Sequence, residues 1–141
     1  MTRIITLLNE KNHYLEKFYS LNEVELTNFA QGQFENLQDF YQTRERILDV
    51  LKYVDAQIER AHGDIDPSIA LAEDIRAQLK EALKIKDEYV GRIIEQDIQV
   101  LACIETAKNS IIKELQETRR HRKAIGGYKS KTFTNNLDEE V

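Results

Sequence analysis

The chain has 141 residues, of which 32% are charged and 41% hydrophobic, with one proline, five glycines and no tryptophan. This length suits one domain, and a composition rich in Leu, Glu, Lys and Ala favours long helices with much exposed surface. Residues 119–131 hold six Lys or Arg and no acid, so with a net charge of −5 the remainder carries −11. An acidic body disfavours non-specific binding to nucleic acid.

The cysteine count and the hydropathy pattern bear on location. Cys103 is the one cysteine, which excludes an internal disulfide and fits a reducing compartment; we expect it to be a buried structural residue. The first eight residues lack the apolar core of a signal peptide. No apolar run approaches the roughly 20 residues of a membrane-spanning helix. We therefore expect a cytoplasmic protein without membrane insertion.

The first predicted helix covers Thr2 to Gln31. Its apolar residues recur every eleven positions, as Ile4-Leu7-Leu8, Leu15-Phe18-Tyr19 and Leu26-Phe29-Ala30. Eleven residues make about three helical turns, so this stripe runs nearly straight along one side of the helix. Leu21 and Val24 widen the apolar face, and Gly32 predicts the end of the helix or a kink.

The second predicted helix covers Phe34 to His62. Its apolar residues repeat as heptads, namely Leu37, Phe40, Tyr41, Ile47, Leu48, Leu51, Val54, Ile58 and Ala61. Arg44 occupies one position of this seam, where a long side chain extends its charged end to water, and we expect it to be tolerated rather than functional. Gly63 follows the last turn, as a C′ residue should.

The third predicted helix is long. Asp66-Pro67 suits an N-cap and first helical position, and the helix runs to about Ile125, where Gly126-Gly127 stops it. Gly91 marks a bend or a close contact. The predicted fold is all-α: an elongated antiparallel helical hairpin or three-helix bundle over residues 1–125, with one long third helix, followed by a flexible tail over residues 126–141.

The sequence carries no recognisable catalytic arrangement. His13, His62 and His121 are scattered and have no partners at metal-ligand spacing. Phosphate-binding, dinucleotide-binding and nucleophile-elbow glycine motifs are absent from the sequence. We expect neither an enzyme nor a bound metal or cofactor, so function should lie in surfaces offered to other proteins.

One candidate surface is the most apolar part of the third helix. Its candidate cargo-binding residues are Val100, Leu101, Ile104, Ile111, Ile112 and Leu115. Part of this wide face must pack on the first two helices. If those helices are shorter than the third, the remainder would be exposed to hold a partner helix, or covered by dimerisation.

A second candidate surface is basic and aromatic. Arg119, Arg120, Arg122 and Lys123 either complement the negative end of the helix dipole or dock on an acidic partner protein, with RNA as a weaker alternative. Tyr128 and Phe133 follow in the predicted tail. They are either anchors for a pocket in a partner or residues that fold back onto the bundle.

The layout resembles that of the FlgN-type flagellar export chaperones and the related FliT type. The resemblance rests on a first helix, a glycine-led turn, a second helix, a long helix, a basic segment and a tail tyrosine. The segments that carry it are Ile4-Ile5-x-Leu7-Leu8, Gly32-Gln33-Phe34-Glu35-Asn36-Leu37, Arg44-Glu45-Arg46-Ile47-Leu48-Asp49-Val50-Leu51 and Ala124-Ile125-Gly126-Gly127-Tyr128.

The resemblance implies a cytoplasmic chaperone that binds the C-terminal amphipathic helices of flagellar hook–filament junction proteins. Such a chaperone prevents premature polymerisation and delivers the cargo to the gate and ATPase of the type III export apparatus. The family's cargo surface corresponds by position to about Val100–Leu115, and its tail tyrosine to Tyr128.

Two other readings stay open. The chain is alternatively a non-catalytic coiled-coil adaptor or scaffold whose third helix is fully covered in a stable oligomer such as a homodimer. The third reading is a protein whose basic end associates with RNA or with a membrane surface. The chaperone reading differs from the adaptor reading because it expects an exposed apolar patch near Ile104–Leu115.

Overall fold

The computed structural model of the chain describes the backbone of residues 1–129 and the side chains of residues 1–125. Three helices follow one another: α1 at Thr2–Ala30, α2 at Leu37–Gly63 and α3 at Glu73–Lys129. No strand occurs among residues 1–129, so the predicted all-α class with a long third helix is confirmed. The chain divides into two compact units, Met1–Leu101 (the first unit) and a second unit that begins at Ala102.

The first helix ends near the predicted position. Gly32 has φ +73°, a left-handed conformation that suits glycine. The N–H of Gln33 donates to the carbonyl of Asn28 at 2.9 Å, and the N–H of Gly32 donates to the carbonyl of Phe29 at 3.0 Å. This pair of hydrogen bonds is the Schellman arrangement, which satisfies carbonyls left without partners at a helix end. Gly32 therefore terminates α1 rather than kinking it.

The predicted start of the third helix was wrong, because α3 begins at Glu73 rather than at Pro67. The carboxylate of Asp66 accepts hydrogen bonds from the backbone N–H of Ser68 at 2.9 Å and from its hydroxyl at 2.7 Å. The N–H of Ile69 donates to the Asp66 carbonyl at 3.2 Å. These bonds close a local turn, and Asp and Ser side chains compete with the helix in this way.

The far end of α3 also differs from the prediction. The helix continues to Lys129, four residues beyond Ile125, and includes Gly126 and Gly127. A glycine costs only about 1 kcal/mol relative to alanine inside a helix, which is too little to force an end. Helix α3 also continues across Gly91, where an added Cβ would meet no atom within 4 Å. The predicted flexible tail otherwise lies outside the described residues.

The first unit is a three-helix bundle whose directions follow from a few side-chain contacts. Lys11 of α1 pairs with Asp55 of α2 at 2.6 Å, while Phe29 contacts Phe40 with ring centroids 6.4 Å apart. Helices α1 and α2 are therefore antiparallel. On α1, Asn12 donates a hydrogen bond to Ala82 of α3, and Asn22 donates one to Gln96 of α3. Helix α1 therefore runs parallel to the first part of α3.

The apolar core of the first unit lies between these three helices in two clusters. One cluster contains Leu15, Phe18, Leu51 and Ile93; the other contains Ile4, Leu8 and Ala82. The first cluster includes residues of both predicted repeats, and Ile58 and Ala61 of the seven-residue repeat pack against the second cluster. Val24, which was expected to widen the apolar face of α1, is exposed instead.

Polar side chains occupy buried positions between α1 and α3. Asn12 donates to the carbonyl of Ala82 at 3.0 Å, and the fully buried Asn22 donates to Oε1 of Gln96 at 3.1 Å. The Gln96 amide in turn donates to the Tyr19 carbonyl at 3.1 Å and to Oε1 of Glu23 at 2.7 Å. A shift along the helix would leave these buried groups unpaired, so they select one register.

Arg44 has a structural role that the sequence analysis missed. Its guanidinium forms two parallel hydrogen bonds to the carboxylate of Asp97, at 2.7 and 3.0 Å. It also lies over the ring of Phe18, 5.1 Å from the centroid. This half-buried residue therefore ties α2 to α3 while it covers an aromatic ring of α1.

We expect Leu15→Ala to lower the free energy of unfolding by about 2–5 kcal/mol, because it removes a buried side chain and leaves a cavity. Leu15 is 5% exposed, whereas Leu115 is 55% exposed and provides a matched control. Leu115→Ala should change stability by no more than about 0.5 kcal/mol. Urea unfolding followed by circular dichroism measures both, and equal losses would contradict the placement of the core.

We expect Glu25→Gln to stabilise the protein at neutral pH. Burial raises the pKa of Glu25 above its ordinary value of 4.5, while a hydrogen bond with Asn28 lowers it in part. Because the folded-state pKa is the higher one, the ionised carboxylate destabilises the fold. The wild type regains stability as the pH falls through the raised pKa towards 4.5.

The measurement is urea unfolding of the wild type and of the Glu25→Gln variant across this pH range. The advantage of the variant should be present at neutral pH and should disappear once the Glu25 carboxyl is protonated in both folded and unfolded states. A difference that stays constant with pH would show that the charge of Glu25 is not responsible.

Candidate partner-binding surface

The second unit exposes large aliphatic side chains on α3. Ile111, Ile112 and Leu115 are 58%, 43% and 55% exposed, and Ile104 is half-buried. In the bundle of the first unit, the apolar stripes of α1 and α2 are covered by neighbouring helices. Exposed aliphatic residues spaced at three to four positions mark a helix face that is suited to a partner.

The arrangement of these residues follows from helical geometry. Successive residues of an α-helix turn by roughly 100°, so positions spaced alternately by four and three lie along one side. We call the residues on that side of α3 the second-unit seam. Its members are Ile104, Lys108, Ile111, Leu115, Thr118, Arg122 and Ile125. Ile112 borders the seam, and Lys108 and Arg122 place two cations within it.

The structure separates the six predicted cargo-binding residues. Val100 is 2% exposed and belongs to the buried interior of the first unit, so it is not accessible to a partner while the bundle is intact. Leu101 is exposed and also lies in the first unit. The remaining four residues share the second unit.

The predicted basic surface does not form one face. Residues 119–123 are all exposed on α3. They lie near its C-terminus, where the negative end of the helix dipole stabilises cations. Arg119 and Arg122 turn to the side of Leu115, whereas Arg120 points away from that side. Tyr128 lies in the last turn of α3 with its side chain outside the described residues, and Phe133 lies wholly outside them.

An exposed apolar strip that was not predicted as a unit lies on α3 in the first unit. We call it the first-unit strip; it consists of Leu83, Val90, Ile94, Ile98 and Leu101. Of these five residues, only Leu101 belongs to the predicted cargo-binding set. The sequence of α3 contains two neighbouring sets of apolar positions. Only the packing against α1 and α2 shows which set is buried and which is exposed.

Gly91 lies beside the first-unit strip. Glycine inside a helix is unfavourable, and no described atom lies close enough to require one at this position. The predicted close contact at Gly91 therefore does not occur within the described chain.

A cleft opens at the end of the first unit where α1 and α3 begin and α2 ends. It has a volume of about 690 Å³ and is lined mainly by apolar side chains, including Met1, Ile4, Ile58 and Leu79. Glu59 and His62 contribute its polar lining. Its lining offers packing surface rather than a set of convergent reactive groups.

Among the residues that the structure describes, no group of three or more His, Cys, Asp or Glu side chains is placed to hold a metal ion. No described helix combines the length and hydropathy needed to cross a bilayer. Cys103 is half-buried rather than fully buried as expected.

Comparison with known proteins does not assign the chain to a family. No protein-family model, curated protein or solved structure matches it.

Proposed function

We propose that the protein is a cytoplasmic, non-catalytic export chaperone that binds amphipathic helices of flagellar hook–filament junction proteins. It would deliver them to the type III flagellar export apparatus. The resemblance in helix layout supplies the identity of the cargo, and the exposed side chains of the second unit supply the physical means of binding.

The observation that carries the proposal is the exposure of Ile111, Ile112 and Leu115 on one helix segment. Burying an exposed aliphatic side chain stabilises a complex by about 1.5–3 kcal/mol when the burial is complete. Three half-exposed side chains would then contribute a few kcal/mol, part of which is offset by ordering the cargo. The resulting moderate affinity is compatible with release at the export gate.

The other parts of the chain would have supporting roles. The first unit is a bundle with its own core and serves as the scaffold of the second unit. Arg119, Arg120, Arg122 and Lys123 would dock on acidic components of the gate or of the ATPase complex. Tyr128 would engage the gate, in keeping with the family resemblance, and Phe133 would be a second aromatic contact there.

The first-unit strip favours a second candidate function, that of a coiled-coil adaptor or scaffold. Ile94, Ile98 and Leu101 are more than half exposed, which is unusual for aliphatic residues beside a well-packed core. In a dimeric scaffold, a second helix would cover them permanently. The two functions differ because a scaffold retains its partner, whereas a chaperone exchanges it.

A pull-down from a flagellated host tests which function applies. We expect the tagged protein to recover junction proteins before their export and to lose them once they are secreted. Recovery of a stable complex that contains neither junction proteins nor export components, in cells that express both, would contradict the chaperone proposal.

We expect the double substitution Ile111→Asp and Leu115→Asp to weaken cargo binding by at least about tenfold. Charges at these positions oppose the burial on which binding depends, and tenfold corresponds to about 1.4 kcal/mol. Isothermal titration calorimetry with a purified junction protein measures the effect. Asn109→Asp and Gln116→Asp, which point away from the second-unit seam, form the matched control with the same charge change.

Circular dichroism should show the same helicity for both double variants, since all four positions are exposed. Equal cargo affinities for the two variants would exclude the second-unit seam as the binding surface.

We expect Tyr128→Ala to leave cargo affinity unchanged and to reduce secretion of the cargo, because the tyrosine is assigned to gate docking rather than to the seam. Calorimetry and a secretion assay measure the two effects separately, with Tyr128→Phe as the conservative control. A loss of cargo affinity in the alanine variant would move Tyr128 into the cargo site.

A further inference from the structure

We propose that the second-unit seam selects an acidic amphipathic helix, with carboxylates opposite Lys108 and Arg122 and apolar side chains between them. The proposal rests on the proposed function, since it specifies the chemistry of the helix that the seam accepts. It follows from the position of the two cations within the seam rather than from the total charge of the chain.

Lys108 and Arg122 both occupy positions of the second-unit seam. Lys108 lies four residues after Ile104 and three before Ile111, and Arg122 lies seven residues after Leu115. Both therefore lie on the line of contact of a packed helix, not at its margin. Both side chains are exposed, and neither forms an ion pair with a described residue.

The segment of α3 around these two cations is basic. Residues 102–125 contain six Lys or Arg and three Glu, whereas the whole chain has a net charge of −5. The acids Glu105, Glu114 and Glu117 lie outside the seam. A helix packed on the seam would cover Lys108 and Arg122 from water, and a covered cation needs a carboxylate or hydrogen-bond partner.

The spacing of the two cations determines the geometry that a partner helix must match. Lys108 and Arg122 are two heptads apart, which places them about 21 Å from each other along the helix axis. The partner therefore needs Asp or Glu at two seam positions about 14 residues apart. Covering the seam from Ile104 to Ile125 requires a helix of about 22 residues.

A second copy of the seam does not satisfy this requirement. Parallel pairing in register opposes Lys108 to the Lys108 of the other copy. Antiparallel pairing centred on Leu115 opposes Lys108 to Arg122. Like charges face each other in both arrangements, so the charge pattern favours a partner with carboxylates at these positions.

A membrane surface suits the pattern less well than a protein helix does. Helices that lie in the membrane interface carry their basic residues on the polar face, beside the apolar face. Here Lys108 and Arg122 lie within the line of apolar residues, where insertion into acyl chains would bury them. A facing helix instead places an acid against each cation.

The test uses three synthetic helical peptides of 22 residues with the same apolar seam. They differ only at two seam positions 14 residues apart, which carry Glu, Gln or Lys. We expect the Glu peptide to bind the full-length protein about tenfold more tightly than the Gln peptide and the Lys peptide to bind most weakly. Fluorescence anisotropy measures the affinities, and raising the salt concentration should reduce the differences.

The matched variants reverse two charges each. Lys108→Glu combined with Arg122→Glu should invert the order, so that the Lys peptide binds best. Lys113→Glu combined with Arg120→Glu makes the same charge change away from the seam and should preserve the order. Circular dichroism should confirm equal helicity in both variants.

The outcomes separate this proposal from the proposed function. Equal affinities for the Glu and Gln peptides would overturn the charge selection and leave helix binding intact. Failure of every peptide and of the junction proteins to bind would overturn both. Binding to phosphatidylserine vesicles with the same dependence on Lys108 and Arg122, in place of peptide binding, would overturn the protein-helix assignment. An inverted order in the seam variant, with the order preserved in the control, would support the proposal.

Discussion

Gln96 makes the contact on which the arrangement of the first unit depends. Its side chain accepts a hydrogen bond from Asn22 and donates to the Tyr19 carbonyl and to the Glu23 carboxylate, all from α1. Hydrophobic contacts alone tolerate sliding along a helix, whereas a buried amide must keep its partners. The register of α3 against α1 is therefore set by polar groups in an otherwise apolar interior.

This register decides which side of α3 is covered in the first unit. Ile93, Gln96 and Val100 turn inward, while Ile94, Ile98 and Leu101 remain exposed. The pair formed by Arg44 and Asp97 lies at the boundary between the two sides and ties α2 to the same part of α3. Whether an aliphatic residue on α3 lies in the core or on the surface therefore depends on how the helix is rotated about its axis.

The second unit also carries aliphatic residues along one side of α3, and no helix among the described residues covers them. Exposed Ile111 and Leu115 share a side with Lys108 and Arg122, so this side combines apolar anchors with fixed charges. Apolar contacts would supply most of the binding energy, and charges would determine which helix is accepted. The proposed surface would select a partner by this pattern, as the proposed chaperone function requires.

The sequence by itself predicted three helices, the end of α1 at Gly32 and most of the core of α1 and α2, because helical periodicity and glycine conformation are local properties. The start of α3 was predicted too early. The Asp66 carboxylate accepts hydrogen bonds from the N–H and hydroxyl of Ser68, and these bonds form a turn in place of the predicted first helical turn. Only the tertiary structure showed that Val100 is covered and Ile94 exposed, and that Arg44 has Asp97 as its partner. Burial and ion pairing depend on which helices meet and in which register, and a single periodic pattern does not contain that information.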